Sequence, residues 1–311
     1  MKLFVAITDG DWYTTLFERA QQGVVEELNF WRPSSTVFRS LQPGELLLFK
    51  LHSPLNFLVG GGFFVRCVTL PVRLAWEAFG SANGVHSQGD LLRRIGRYRR
   101  MAANASDNIS CILLGEPFFF RQEDWIPSPT SFTLNTVVGK TYDSTNDDGR
   151  QLWQDVTERI SRAIIPAAGP STFQIRDHPG FASPVAVRPR IGQGSFRVLI
   201  TEAYNRRCAM TGERTLPALE AAHIRPYSEY QDHALSNGLL LRSDLHRLFD
   251  QGYVTLDPKQ RTILVSERIK SEFENGREYY RLHGQALTLP ADPSVRPLEE
   301  NLQYHAEHVF R

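Results

Sequence analysis

The sequence predicts an α+β protein of two domains, and three observations carry that expectation. Short apolar runs broken by turns dominate the first half, from Met1 to about Val138. An irregular stretch from Gly139 to Gly194 follows, in which Pro170, Pro179, Pro184 and Pro189 resist regular structure. Beyond it, residues 216 to 252 read as strand, strand, helix. A chain of 311 residues has room for two cores of ordinary size. The boundary is expected near Ser171, dividing the chain into residues 1–170 and 171–311.

In the first domain the strand-like runs are Leu3 to Thr8, Gly44 to Leu51, Phe57 to Val68 and Ser110 to Leu114. Gly60-Gly61-Gly62 interrupts the third, as a bulge or sharp bend does where backbone passes close to a neighbour. Curved sheet is implied. Helical periodicity covers Trp12 to Leu28, Asp90 to Met101 and a shorter patch near Leu74 to Phe79, and a further helix is expected over Gln151 to Ile164.

Composition sets outer limits on function. Hydrophobic residues make up 41% and charged residues 22%, as in a globular protein, and no apolar run approaches the roughly 20 residues of a membrane helix. The N-terminus turns acidic at Asp9, before a signal-peptide core could form, which points to the cytoplasm. Three cysteines, Cys67, Cys111 and Cys208, suit neither a disulfide framework nor a four-cysteine zinc site. The net charge of +1 confines any nucleic-acid surface to a local patch.

The chemistry concentrates after a packing helix over Ser195 to Arg206, which carries Phe196, Leu199, Ile200 and Tyr204 at helical spacing. His223 closes an apolar strand-like run from Leu216, and Pro226 halts further pairing. Asn237 follows after fourteen residues and introduces Gly238-Leu239-Leu240-Leu241, which completes a hairpin. Nine residues further, His246 lies in a helix that Ser243 would cap and Gly252 would end. A neutral imidazole accepts a proton from water near neutral pH, and a divalent cation offsets charge developing on a phosphodiester under attack.

Read with Cys208-Ala209-Met210-Thr211-Gly212, Ala221-Ala222-His223-Ile224-Arg225-Pro226 and His246-Arg247-Leu248-Phe249-Asp250-Gln251-Gly252, this pattern resembles the HNH, or ββα-metal, nuclease family. The resemblance implies that His223 is the general base, that Asn237 braces the loop and orients His223, and that His246 binds the metal. The cation would be Mg²⁺ or Mn²⁺, and an imidazole ligand also admits Co²⁺ or Ni²⁺. The family often places Asp before the base histidine, where this chain has Ala222. Glu220 shares that strand face and joins His246 as a candidate ligand, while Asp244, Asp250 or water would serve equally to complete the shell.

In the first domain, Phe30-Trp31-Arg32-Pro33-Ser34, Leu41 to Lys50 and Leu58 to Val65 look like the EVE branch of PUA-like domains. Such domains are similar to SRA domains, which enclose a flipped modified base. That resemblance implies a base pocket in which Trp12 and Trp31 stack and Asn29 and Asp11 bond to the base edge. Core packing explains the same rings, and turns or caps the same polar residues. Arg93, Arg94 and Arg97 belong to a run of five arginines in eight positions that would grip DNA phosphates; a solvated helix face is the alternative.

A modified-base reader joined to an HNH cutter resembles the modification-dependent restriction endonucleases. The expected substrate is double-stranded DNA containing 5-hydroxymethylcytosine or 5-methylcytosine, cut by a homodimer because one site severs one strand. The rivals are a non-catalytic module that binds modified nucleic acid and an RNA-directed HNH nuclease.

Overall fold

The computed structural model describes residues 1–23, 25–133, 136–160, 163, 192–227 and 233–311. They form two units, Met1–Gly192 and Gln193–Arg311. The boundary expected near Ser171 lies outside the described residues.

The first unit is built on a mixed sheet of seven strands. These are β1 (Lys2–Thr8), β2 (Glu27–Arg32), β3 (Leu46–Leu51), β4 (Phe57–Pro71), β5 (Asn108–Phe119), β6 (Ile126–Pro127) and β7 (Gly139–Asp143). Their order is β2-β5-β4-β3-β1-β7, with β6 beside β4. β1 and β3 run parallel and the other pairs antiparallel. Alternation along β1 divides the core. Phe4 and Ala6 pack with Trp12, Tyr13 and Leu16 of α1 (Gly10–Gln21). Leu3 and Val5 pack with Leu152, Val156 and Ile160 of α4 (Asp147–Ile160). Burial on both faces is why β3 reads as an almost unbroken apolar run rather than an alternating one. α2 (Val72–Phe79) and α3 (Gln88–Arg99) occupy the connection between β4 and β5.

Two sequence expectations are corrected here. The helix expected over Trp12 to Leu28 stops at Gln21, and Glu27–Arg32 pairs instead with β5, in register Glu27↔Gly115 through Arg32↔Ser110. Gly23, at φ 74°, takes the chain out of the helix. Gly139–Asp143, expected to be irregular, extends the sheet edge against β1; its polar composition hides a strand buried on one side only.

The glycine run behaves as its sequence implies. The register shifts between Gly61 and Phe63, and a Cβ on Gly60 would stand 2.3 Å from the Phe118 carbonyl oxygen of β5. Gly60→Ala is therefore expected to lower unfolding stability by roughly 1–3 kcal/mol, since a backbone atom cannot move aside as a side chain can. Denaturant titration of the two proteins checks this.

The second unit opens with α5 (Gln193–Ala203), followed by the hairpin β8 (Leu219–His223) and β9 (Gly238–Arg242) and then α6 (Ser243–Asp250). Strand, strand, helix is the order the sequence predicts. The hairpin register runs from Leu219↔Arg242 to His223↔Gly238. Its two faces meet different helices. Tyr204 and Phe196 approach the Gly238 and His223 end from the α5 side, and a Cβ on Gly238 would stand 2.4 Å from Ile200 Cδ1. His246 of α6 meets Glu220 on the opposite face. Ser243 does not cap α6: it is the first helical residue, and Arg242 holds the cap position without a side-chain bond.

The remaining elements are β10 (Val254–Leu256), β11 (Ile263–Val265), α7 (Arg268–Phe273), α8 (Arg277–Tyr280) and α9 (Glu299–His308). No helix among the described residues is long and apolar enough to cross a membrane. α9 is fastened by His305, only 2% exposed, whose ring stacks on Phe249 at 3.6 Å. Its Nε2 lies 3.1 Å from the Phe249 carbonyl, which can only accept, so Nε2 carries the proton and Nδ1 accepts from Thr255 Oγ1 at 2.8 Å.

Burial lowers the His305 pKa from 6.5 to about 4. The unfolded chain thus binds this proton more readily than the folded one. The stability contribution is complete above about pH 6.5 and declines as pH falls toward 4, by about 3 kcal/mol in all. Denaturant midpoints between pH 7 and pH 4 are expected to fall less steeply for His305→Phe than for the native protein.

Candidate active site

α6 buries Leu245 and Phe249, one turn apart, and thereby turns the next stripe, His246 and Asp250, toward β8. Glu220 meets that stripe from the strand. His246 Nδ1 stands 2.7 Å from Glu220 Oε2, and its Nε2 stands 3.3 Å from Asp250 Oδ2. The two sequence-predicted metal ligands, Glu220 and His246, are thus in contact, with Asp250 beside them. Burial raises the Asp250 carboxyl above its ordinary value; His246 pulls it back and the Glu220 charge pushes it further up. Asp244 is occupied elsewhere. Arg242 holds it in a fork at 2.6 and 2.7 Å, which pulls its carboxyl low, and Tyr279 adds a third bond.

A carboxylate only accepts, so something positive or hydrogen-bearing must lie between each ring nitrogen and its acid. A hydrogen on the ring nitrogen or a divalent cation could fill that place, and the two would compete for it. Two carboxylates and an imidazole form a donor set that suits Mg²⁺ or Mn²⁺. The two acids use opposite edges of the ring, however, and among the described residues no three His, Cys, Asp or Glu side chains are grouped to hold a metal ion. The donor chemistry fits a cation, and the carboxylates would have to leave the ring edges to share one.

His223 lies three residues beyond Glu220, about 10 Å along the strand and on its other face. The described contacts do not bring His223 and His246 together. The His223 ring lies flat on Phe196 at 4.1 Å and 6°. Its Nε2 is 3.0 Å from Nδ1 of His233, whose ring in turn stacks on Tyr227 at 4.1 Å. Sequence reading missed His233 and Tyr227. The available signal was position: His233 lies in the segment between the hairpin strands, which closure of β8 onto β9 returns to the His223 end.

Asn237 is 2% exposed and clamps the chain just after His223. Its Oδ1 accepts from the Arg225 N–H at 2.9 Å, its Nδ2 donates to the Arg225 carbonyl at 3.1 Å, and its own carbonyl accepts from the Ile224 N–H at 2.9 Å. These three bonds tie the start of β9 to the chain just after His223. Cys208 opens a tight turn stitched to β9: Ala209 N–H donates to Leu240, and Arg242 N–H donates to Cys208 Sγ at 3.4 Å.

Residues 208–257 match the family model for HNH endonuclease. The second unit therefore carries a nuclease module that hydrolyses phosphodiester bonds, and DNA is the substrate that module implies. The match spans the Cys208 turn, both hairpin strands and α6. No curated protein matches the chain. Among solved structures, a crystal structure of a ZmASCH mutant protein from Zymomonas mobilis is similar over 50% of this chain and 99% of that one, at 10% identity and a TM-score of 0.34. A likeness of that strength establishes no common fold.

In the first unit the residues expected to read a base separate into two groups. Trp12 is 4% exposed and wedged edge-to-face against Phe30 and Phe49, and its indole leaves no room for a Cβ on Gly84. Asn29 is fully buried, donating to Asn83 Oδ1 at 2.9 Å. Both belong to the core rather than to a cleft, which corrects their assignment. Trp31 is half-buried: its Nε1 donates to the Asn83 carbonyl and its ring meets Tyr98 of α3 edge-on. Asp11 is exposed and pairs with Arg94 at 3.5 Å.

The arginine run is also divided. Arg99 is consumed by the Pro33 and Asn108 carbonyls and Asp107. Arg93, Arg94 and Arg97 line one recess of about 240 Å³ with Val85, His86 and Asp90. Arg94 Nη1 is buried there with no hydrogen-bond partner among the described residues. α3 thus gathers the arginines, Asp11 and Trp31 into one neighbourhood.

Proposed function

We propose that the protein is an endonuclease for DNA with modified cytosine, in which the first unit selects the DNA and the second cuts it. The observation that carries the catalytic half is the cluster of Glu220, His246 and Asp250 on a strand-strand-helix frame inside the matched segment. In this reading Glu220, His246 and Asp250 would hold a divalent cation. That cation would neutralise charge developing on the scissile phosphate and assist the departing oxygen. His223 takes the proton of the attacking water. Asn237 keeps the end of β8 rigid, so the imidazole meets the water in one orientation.

For recognition, the reading rests on what α3 assembles. Arg93, Arg94 and Arg97 face a recess suited to a phosphate, and Trp31 supplies an aromatic surface beside them, the pairing that extruded or single-stranded nucleotides use. Asp11, exposed and paired with Arg94, would bond to a base edge or a hydroxymethyl group in this reading. A double-strand break would need two protomers, most simply a symmetric dimer.

The test offers the purified protein Mg²⁺ or Mn²⁺ with otherwise identical duplexes containing cytosine, methylcytosine, hydroxymethylcytosine or glucosylated hydroxymethylcytosine. Selective cleavage of one or more modified duplexes is expected. Equal cleavage of all four would remove the reader, preference for structured RNA would redirect it, and binding without cleavage under either cation would make the protein a non-catalytic module.

A further inference from the structure

We infer that Asp11 determines specificity by acting as a releasable counter-charge: it occupies Arg94 in the free protein, so unmodified DNA gains little from the α3 arginines, and a nucleotide that engages Asp11 frees Arg94 for its phosphate. This inference rests on the reading that the first unit selects DNA through this face.

Each arginine of the recess already faces a carboxylate. Arg93 is bonded to Asp90, Arg94 stands 3.5 Å from Asp11, and Arg97 stands 3.8 Å from Asp9. The positive charges of the three arginines are answered by three negative ones, so the run that reads as basic in sequence forms a face of little net charge in the fold. A duplex phosphate must compete with those acids for the guanidinium groups, which shrinks the electrostatic gain that drives unselective binding to DNA.

The three acids are not equally free to yield. Asp90 is tied to the start of α3, where its N–H donates to Ser87 Oγ and its carboxylate accepts from the Ser87 hydroxyl. Asp9 accepts from the Tyr98 hydroxyl, and Tyr98 meets Trp31 edge-on. Among the described residues the Asp11 carboxylate has Arg94 as its one partner, at a distance too long for a strong hydrogen bond, and its side chain is 82% exposed. An exposed carboxylate held that loosely gives way at little cost. Arg94 is its opposite. Its side chain is only 19% exposed, and Nη1 is covered with no hydrogen-bond partner among the described residues. A cation withdrawn from water with a donor unused favours whichever anion reaches it, so Asp11 and a phosphate are alternatives for the same guanidinium.

The test measures fluorescence anisotropy of labelled duplexes of one sequence, containing cytosine, methylcytosine or hydroxymethylcytosine, with the full chain in EDTA over a range of KCl concentrations. Asp11→Asn is expected to tighten binding of the cytosine duplex roughly 3- to 10-fold at low salt and to steepen its salt dependence by about one phosphate contact. The ratio of affinities for modified and unmodified duplexes is expected to shrink. Arg94→Met, which keeps the aliphatic stem, is expected to abolish the gain, so that Asp11→Asn adds nothing in that background; a general charge effect would survive there. Unchanged or weaker binding of the cytosine duplex by Asp11→Asn, or the same tightening with Arg94→Met, would each overturn the inference. Equal affinity of the native protein for all three duplexes would instead remove the selective reader, and the Asp11→Asn effect with and without Arg94 would still decide whether the acid holds the arginine from phosphate.

Discussion

His246→Ala is expected to abolish cation-dependent cleavage of DNA while the second unit stays folded. The ring touches both acids of the cluster, Glu220 at 2.7 Å and Asp250 at 3.3 Å, and no other histidine is described in contact with either. Its removal leaves two carboxylates without the group between them, and a cation site without its nitrogen. Losing such a group costs on the order of 100-fold or more in activity at fixed cation concentration. The fold is spared because His246 sits on the exposed side of Leu245 and Phe249, which carry the packing of α6. Single-turnover nicking under excess Mn²⁺, with a parallel denaturant titration, checks both halves. A variant that nicks within a few-fold of the native rate would contradict the assignment.

The second large effect is expected at Asn237. Alanine there removes both bonds that the Asn237 side chain, in a residue only 2% exposed, makes to the part-buried Arg225 backbone. Each lost bond costs roughly 0.5–1.5 kcal/mol. The loss also frees the end of β8 that carries His223, so kcat is expected to fall on the order of 10- to 100-fold in protein that remains folded at low temperature. Asn237→Asp separates the contributions. Its carboxylate still accepts from the Arg225 N–H but faces the Arg225 carbonyl as a second acceptor, so it should fall between native and alanine in denaturant midpoint. Equal midpoints for all three proteins would show that the clamp contributes nothing.

The nuclease half was readable because the residues proposed to carry its chemistry are close in sequence. His223, Asn237 and His246 lie on a hairpin and the helix that follows it, so their spacing almost dictates their placement, and Glu220 followed from strand alternation. Which acids remain available did not follow, because Arg242 claims Asp244 through a fork that spacing does not announce. His233 escaped for a similar reason: its contact with His223 depends on closure of the hairpin.

The first unit was less legible. The side chains proposed to read DNA come from β2, α1 and α3, far apart in the chain, and only the folded sheet decides which aromatics face inward. Trp12 and Trp31 look alike in sequence, yet α1 turns the first into the core while the edge strand β2 leaves the second half-buried against Tyr98. Asn29, one position from Phe30 on β2, points inward to Asn83. A polar side chain buried against a polar neighbour is indistinguishable in sequence from a ligand-binding one until that neighbour is seen.

The most direct test of the account is a calorimetric titration of Mn²⁺ into the full chain at near-neutral pH, without DNA. One Mn²⁺ per chain is expected to bind with release of protons, and both Glu220→Gln and His246→Ala are expected to weaken it on the order of 10-fold or more. Absence of saturable binding, or binding that both substitutions leave unchanged, would contradict a cation centre between β8 and α6.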